Sequence, residues 1–183
     1  GLAEFTLSRR VPEYIGKAKA VMNHEKNRKN GTCPAEVADA IAKIRTISGF
    51  AEIKEEKIAL SSTIYAVKPG DGSAREQAAS CQRVLLGGAN IAKEYATKRY
   101  CSNLINWGMV PFVTVSAPDF ADDDYIFVPN IREALEGSMV KIPAYVLGET
   151  IKPLTLAIAP LTKEEKDIIR AGSLINYNRM LKK

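Results

Sequence analysis

The chain has 183 residues, 46% hydrophobic and 26% charged, with a formal net charge of +5. This composition fits a globular chain with room for one sizeable core, and it excludes collagen-like and low-complexity classes. It shows no apolar run of membrane-spanning length and no signal peptide, so no membrane partner is expected and a cytoplasmic location is.

Residues 11 to 30 carry a loose helical pattern, Val11, Ile15, Ala18 and then Val21 or Met22, that ends at Asn30-Gly31. The basic run from Lys17 to Lys29 could be a nucleic-acid patch. It lacks interleaved aromatics, and Glu25 interrupts it, so it reads as a solvated helix face and no nucleic-acid partner is expected. Thr32 is placed to cap a second helix with Pro34 in its first turn. Val37, Ala40, Ile41 and Ile44 form that helix's apolar stripe, and Gly49 stops it. Phe50 to Ile53 and Lys57 to Leu60 read as short strand or loop pieces.

Thr63 to Val67 reads as a strand that ends at Pro69. A Pro-Gly-Asp-Gly turn follows, and then Ser73-Ala74-Arg75-Glu76 opens a helix. Ser-x-x-Glu is the pattern of a capping box, with Ser73 as N-cap and Glu76 reaching back to it. Arg75 falls in the first helical turn, where free N–H groups and the helix dipole already favour an anion. A planar guanidinium there can hold a carboxylate or phosphate by two parallel bonds. The local physics is that of an anion site with a hydroxyl beside it.

The helix runs from Arg75 to Leu86, turns Ala78, Cys81 and Leu85 inward, and stops at Gly87-Gly88. Ala89 to Ala92 reads as a short strand, Tyr95 to Asn106 as a helix closed by Gly108, and Phe112 to Ser116 as a strand. Asp122-Asp123-Asp124 reads as a solvated turn. Met139 to Leu147 and Ile151 to Ile158 read as a strand pair, with Pro143 and Pro153 demanding an edge or a bulge. Thr162 caps the next helix with Glu165, Gly172 ends it, and Ser173 to Leu181 forms a last short helix. Alternating strands and helices with a late hairpin predict an α/β fold with a mixed sheet. Cys33, Cys81 and Cys101 are widely spaced, and His24 is the single histidine. That set gives no self-contained zinc or iron–sulfur site, so no metal ligand is expected here.

The run from Gly70 to Phe112 and the tail from Leu161 to Tyr177 resemble the C-terminal swivelling domain of the aconitase family of iron–sulfur hydro-lyases. The matching features are the Gly-Ser-Ala-Arg-Glu loop, the Ala-rich helix, Leu-Gly-Gly, Ile-Ala, Asn-Leu…Gly…Pro and the Gly172-x-x-x-Asn176 ending. The tail resembles the family's hydratase branch more than aconitase itself.

The resemblance implies a β/β/α swivelling domain spanning residues 1–183. Its variable helical part would cover 1–60 and its core 61–183. With Gly1 rather than Met at its start, the chain is expected to be a fragment of a longer multidomain protein. In that family a 4Fe–4S cluster sits in other domains, and this domain closes over a hydroxy di- or tricarboxylate that is dehydrated, hydrated or isomerised. The resemblance gives Ser73 the role of base and gives Arg75 a substrate carboxylate, with Gly72 and Ala74 as neighbouring binding residues. Cofactors in this chain are none, and its partners are the substrate and the cluster-bearing domains. Without those domains the chain is expected to be inactive.

The sequence departs from the family pattern at Ala74, where a second serine is usual, and at Tyr95-Ala96-Thr97. Its N-terminal part lacks a recognisable substrate-selecting loop with a second Arg, for which Arg9, Arg10 and Arg45 are candidates. The alternatives are a small subunit of an isopropylmalate-isomerase type enzyme and a non-catalytic module binding anions or RNA.

Overall fold

The computed structural model describes residues 2–8, 11–115, 118–137 and 140–182. Gly1, Arg9, Arg10, Ser116 and Met139, on which some expectations fall, lie outside the described residues. The chain opens with helices α1 (Leu2–Ser8), α2 (Pro12–Lys29) and α3 (Ala35–Thr46). Pro12 sits at the start of α2, where a missing N–H leaves no bond unmade. The expected stripe of α3 is its buried face, with Val37, Ala40, Ile41 and Ile44 each 6% exposed or less. Thr32 does not cap α3. The helix begins one residue after Pro34, which occupies the N-cap position without a side-chain bond. Gly49 lies in the turn beyond the helix, which already ends at Thr46.

Residues 50 to 60 are loop around a 3-10 turn, Glu55–Lys57, and not strand. Arg28 holds that loop. Its side chain, 8% exposed, pairs with the equally buried Glu25 and donates at 2.7 Å to the carbonyls of Glu55 and Ile58. Much of the basic run is likewise committed to local ion pairs: Lys17 with Asp123, Lys19 with Glu4, and Lys29 with Glu25.

Two strand–helix–strand crossovers follow. β1 (Ser62–Ala66) leads through α4 (Arg75–Val84) to β2 (Gly87–Ala92), and β2 leads through α5 (Lys98–Asn106) to β3 (Val110–Thr114). Gly87 and Gly88 therefore open a strand, and α4 stops at Leu85. The rest comprises β4 (Tyr125–Phe127), α6 (Ile131–Glu136), the hairpin β5 (Lys141–Leu147) and β6 (Ile151–Ala157), then α7 (Lys163–Ala171) and α8 (Leu174–Leu181). All six strands form one mixed sheet in the order β1-β2-β3-β6-β5-β4. β1, β2 and β3 are parallel, and the remaining pairs are antiparallel.

Pro143 and Pro153 lie on interior strands, yet the edge rule holds locally. β4 pairs only with Tyr145 to Leu147, and β3 only with Leu156 and Ala157, so neither proline meets a ladder partner on its second side. The period of two along β5 sorts the core. Ile142, Ala144 and Val146 pack with Ile91, Phe112, Leu156 and helix α6. Leu147 and Tyr145 face the opposite cluster beneath α3. A third cluster joins α4 to α5 through Ala79, Tyr100, Leu104 and Met109. Below it Gln82, 1% exposed, donates to Asn90 at 2.5 Å, and Asn90 donates to the Tyr100 hydroxyl at 3.1 Å.

Candidate functional site

The carboxyl ends of parallel strands are where open α/β sheets receive ligands, because helix N-termini gather there. Three segments leave the sheet at that end: the loop after β1, the loop after β2 and the loop after β3. Residues 93–96 run beside residues 66–69, with backbone bonds from Lys93 to Ala66, Glu94 to Val67 and Ala96 to Pro69. Beyond them the Thr97 hydroxyl, which also caps α5 by accepting from the Tyr100 N–H, donates to the Gly70 carbonyl at 3.0 Å. Gly70 itself has φ +99 and lies against the Tyr100 ring so closely that an added Cβ would stand 2.5 Å from the Tyr100 Cβ. On the other side, Tyr65 of β1 meets Phe120 of the loop after β3 edge-on at 5.5 Å.

Past Gly70 the loop is open. Asp71, Gly72, Ser73 and Ala74 are all exposed. Arg75, half-buried, is the first residue of α4. Its guanidinium makes no hydrogen bond and no ion pair among the described residues, and neither does the Ser73 hydroxyl.

The expected capping box does not form. Ala74 is the N-cap, with no side chain able to cap. The Glu76 carboxylate is drawn sideways onto α5, where it accepts from Asn103 Nδ2 and from the Trp107 indole N–H, the latter at 2.6 Å. Long-range donors on a neighbouring helix outcompete a local bond to the chain's own backbone. As a result the N–H groups of Ala74, Arg75 and Glu76 have no acceptor among the described residues. An unsatisfied helix start beside a free guanidinium is a concentration of positive potential that suits an anion.

Of the residues picked from the sequence, Gly72, Ser73, Ala74 and Arg75 are adjacent on this loop and helix start. Arg45 is elsewhere, on α3, with its guanidinium on Glu55 at 3.4 Å. A surface depression lined by Arg28, Arg45, Lys54 and Glu56 contains none of the loop residues, and its arginines are both committed. The sequence reading missed Thr97, Asn103 and Trp107 as the frame of the site. An indole N–H near a packed helix needs an acceptor, which was the available hint.

Cys33 is exposed near the start of α3, Cys81 is buried on α4 and Cys101 is half-buried on α5. Burial pushes the Cys101 thiol up, away from the thiolate that an iron ligand must be. No group of three potential ligands gathers among the described residues. The cysteines of this chain therefore do not fit a 4Fe–4S cluster. No described helix is long and apolar enough to cross a membrane.

No family model matches the chain. No curated protein matches it either. Among solved structures it is similar to a 3-isopropylmalate dehydratase of Methanocaldococcus jannaschii. The identity is 23%, over 69% of this chain and 68% of that one, with a TM-score of 0.48.

Proposed function

We propose that the chain supplies the substrate-anion site and the proton-transferring serine of an aconitase-like hydro-lyase. The substrate class is a hydroxy di- or tricarboxylic acid. The observation that carries this reading is Arg75, a guanidinium with no partner among the described residues, at a helix start without a side-chain cap on the loop at the carboxyl end of β1.

In this reading Arg75 holds one substrate carboxylate by its planar fork. The free N–H groups of Ala74, Arg75 and Glu76 add positive potential, and the exposed backbone of Gly72 leaves room for the ligand. Ser73 exchanges a proton at the carbon next to a carboxylate. A serine hydroxyl is a weak base unless its alkoxide is stabilised, and the same positive potential stabilises it. Dehydration then removes that proton together with the neighbouring hydroxyl, and hydration returns both. The cluster, held by domains outside this chain, would supply the Lewis acidity that loosens the hydroxyl. The three free cysteines suit a reducing cytoplasm.

A screen of hydroxy acids with the complete enzyme, cluster-bearing domains included, tests the reading. Ser73→Ala there is expected to lower kcat by about 10²–10⁴-fold with little change in KM. Ser73→Asp is expected to be as inactive, because a carboxylate at that place repels the substrate. Near-normal turnover of Ser73→Asp would remove Ser73 from the chemistry. The chain by itself is expected to bind a hydroxy acid and to turn none over.

A further inference from the structure

We infer that Glu76 is a positioning residue of the anion site: bound by Asn103 and Trp107, its carboxylate fixes the first turn of α4 against α5 and keeps its own charge away from the ligand. The inference rests on the reading of Arg75 as the carboxylate-binding group.

A carboxylate in the first turn of a helix, one residue from an anion-binding arginine, is a competitor for the anion. Left free, it would turn back to the open N–H groups or pair with Arg75. In this chain it does neither. Both of its oxygens are engaged on α5, one by the Asn103 amide and one by the Trp107 indole. Asn103 on α5 and Trp107, the residue just past its last turn, lie four residues apart, so a single carboxylate reaches both. The same helix reaches the other end of the loop through Thr97, whose hydroxyl holds the Gly70 carbonyl. The loop from Gly70 to Glu76 is thus fastened at both ends to α5 and is open between them. Arg75 lies one residue from the second fastening, so the place of its backbone follows from the Glu76 bonds. Neither Asn103 nor Trp107 is placed among the groups that touch substrate.

The test exploits a conflict of sign. If Glu76 only adds negative charge near the site, Glu76→Gln must tighten anion binding. If Glu76 positions the turn, Glu76→Gln must weaken it, because the new amide N–H faces a donor and one of the two bonds is lost. The double variant Glu76→Gln with Asn103→Asp exchanges the roles. The amide introduced on α4 then donates to the carboxylate introduced on α5, the amide oxygen still accepts from Trp107, and the total charge is unchanged.

Citrate is the probe, titrated into isotope-labelled chain and followed by NMR, with thermal unfolding measured alongside. Glu76→Gln is expected to weaken citrate binding about tenfold, the scale of one charge-assisted hydrogen bond. The double variant is expected to return within about twofold of the unaltered chain. The indole N–H peak of Trp107, the single tryptophan, is expected to move on citrate addition in the unaltered chain and in the double variant. Citrate binding that is unchanged or tighter in Glu76→Gln, with only the melting temperature lowered, overturns the inference and leaves Arg75 as the site. A double variant as weak as Glu76→Gln overturns it too. If Arg75→Ala leaves citrate binding intact, or the unaltered chain binds none, the reading of the site itself fails, and the inference with it.

Discussion

Helices α4 and α7 begin with the same four-residue pattern and end up with opposite starts. At α7, Thr162 accepts from the Glu165 N–H and the Glu165 carboxylate accepts from the Thr162 N–H, so the box closes. At α4, Ser73 is left one residue before the N-cap, Ala74, and Glu76 is bonded to Asn103 of α5 and to Trp107 just past it. The difference lies in the neighbours: α4 runs beside α5, whose Asn103 and Trp107 offer donors to its carboxylate. The two arginines repeat the contrast. Arg28 has its donors committed to Glu25 and two loop carbonyls, whereas Arg75 has none committed among the described residues. Fully bonded groups stabilise the fold, and unbonded ones in an open loop are available to a ligand.

The comparison can be broken or sharpened by substitution. The largest effect is expected at Arg28. Arg28→Ala leaves Glu25 buried and two carbonyls unbonded, and should lower stability by about 3–5 kcal/mol in chemical denaturation. Arg75→Ala should leave the denaturation midpoint unchanged and weaken citrate binding by about tenfold or more. A loss of stability there comparable to Arg28→Ala would show that Arg75 is a structural group after all. Thr162→Ala should cost about 1 kcal/mol by the same denaturation measurement, as removal of a working cap does. Ser73→Ala should change stability by less than about 0.5 kcal/mol, because its hydroxyl caps nothing. Equal losses for Thr162→Ala and Ser73→Ala would mean that the two helix starts are alike in solution and that the open one closes.

The sequence was most readable where a segment answers to its own residues. The apolar stripe of α3, the box at α7 and the strand pair of β5 and β6 each follow from residues within the element itself. The reading of Gly72 to Arg75 as an anion site rests on its residue types, and the structure adds that the loop is exposed. The state of Ser73 and Glu76 was not, because Asn103 lies 27 residues away from Glu76 and Trp107 lies 31 away. Gly87-Gly88 looked like a helix stop because glycine punctuates helices. Here the pair enters a strand whose last three residues are buried between β1 and β3. Three short elements, α1, β4 and α6, were passed over. β4 has three half-buried residues after three aspartates, and tertiary contact creates it: Phe127 packs edge-on to Phe50 at 5.2 Å. α6 has six residues and starts from Asn130 at φ +50, a start that carries no Ser or Thr signal.

Gly70 and Gly72 differ by two positions and by everything around them. A side chain at Gly70 would strike Tyr100, and its backbone angle is one that other residues seldom adopt, whereas a side chain at Gly72 would meet nothing within 4 Å. The loop therefore has a hard boundary and a soft interior. Substitutions at residues 71, 72 and 74 can therefore change the loop's surface while the frame on α5 stays still, whereas varying residue 70 moves the frame itself. In the proposed reading, selectivity can drift without the fold having to follow.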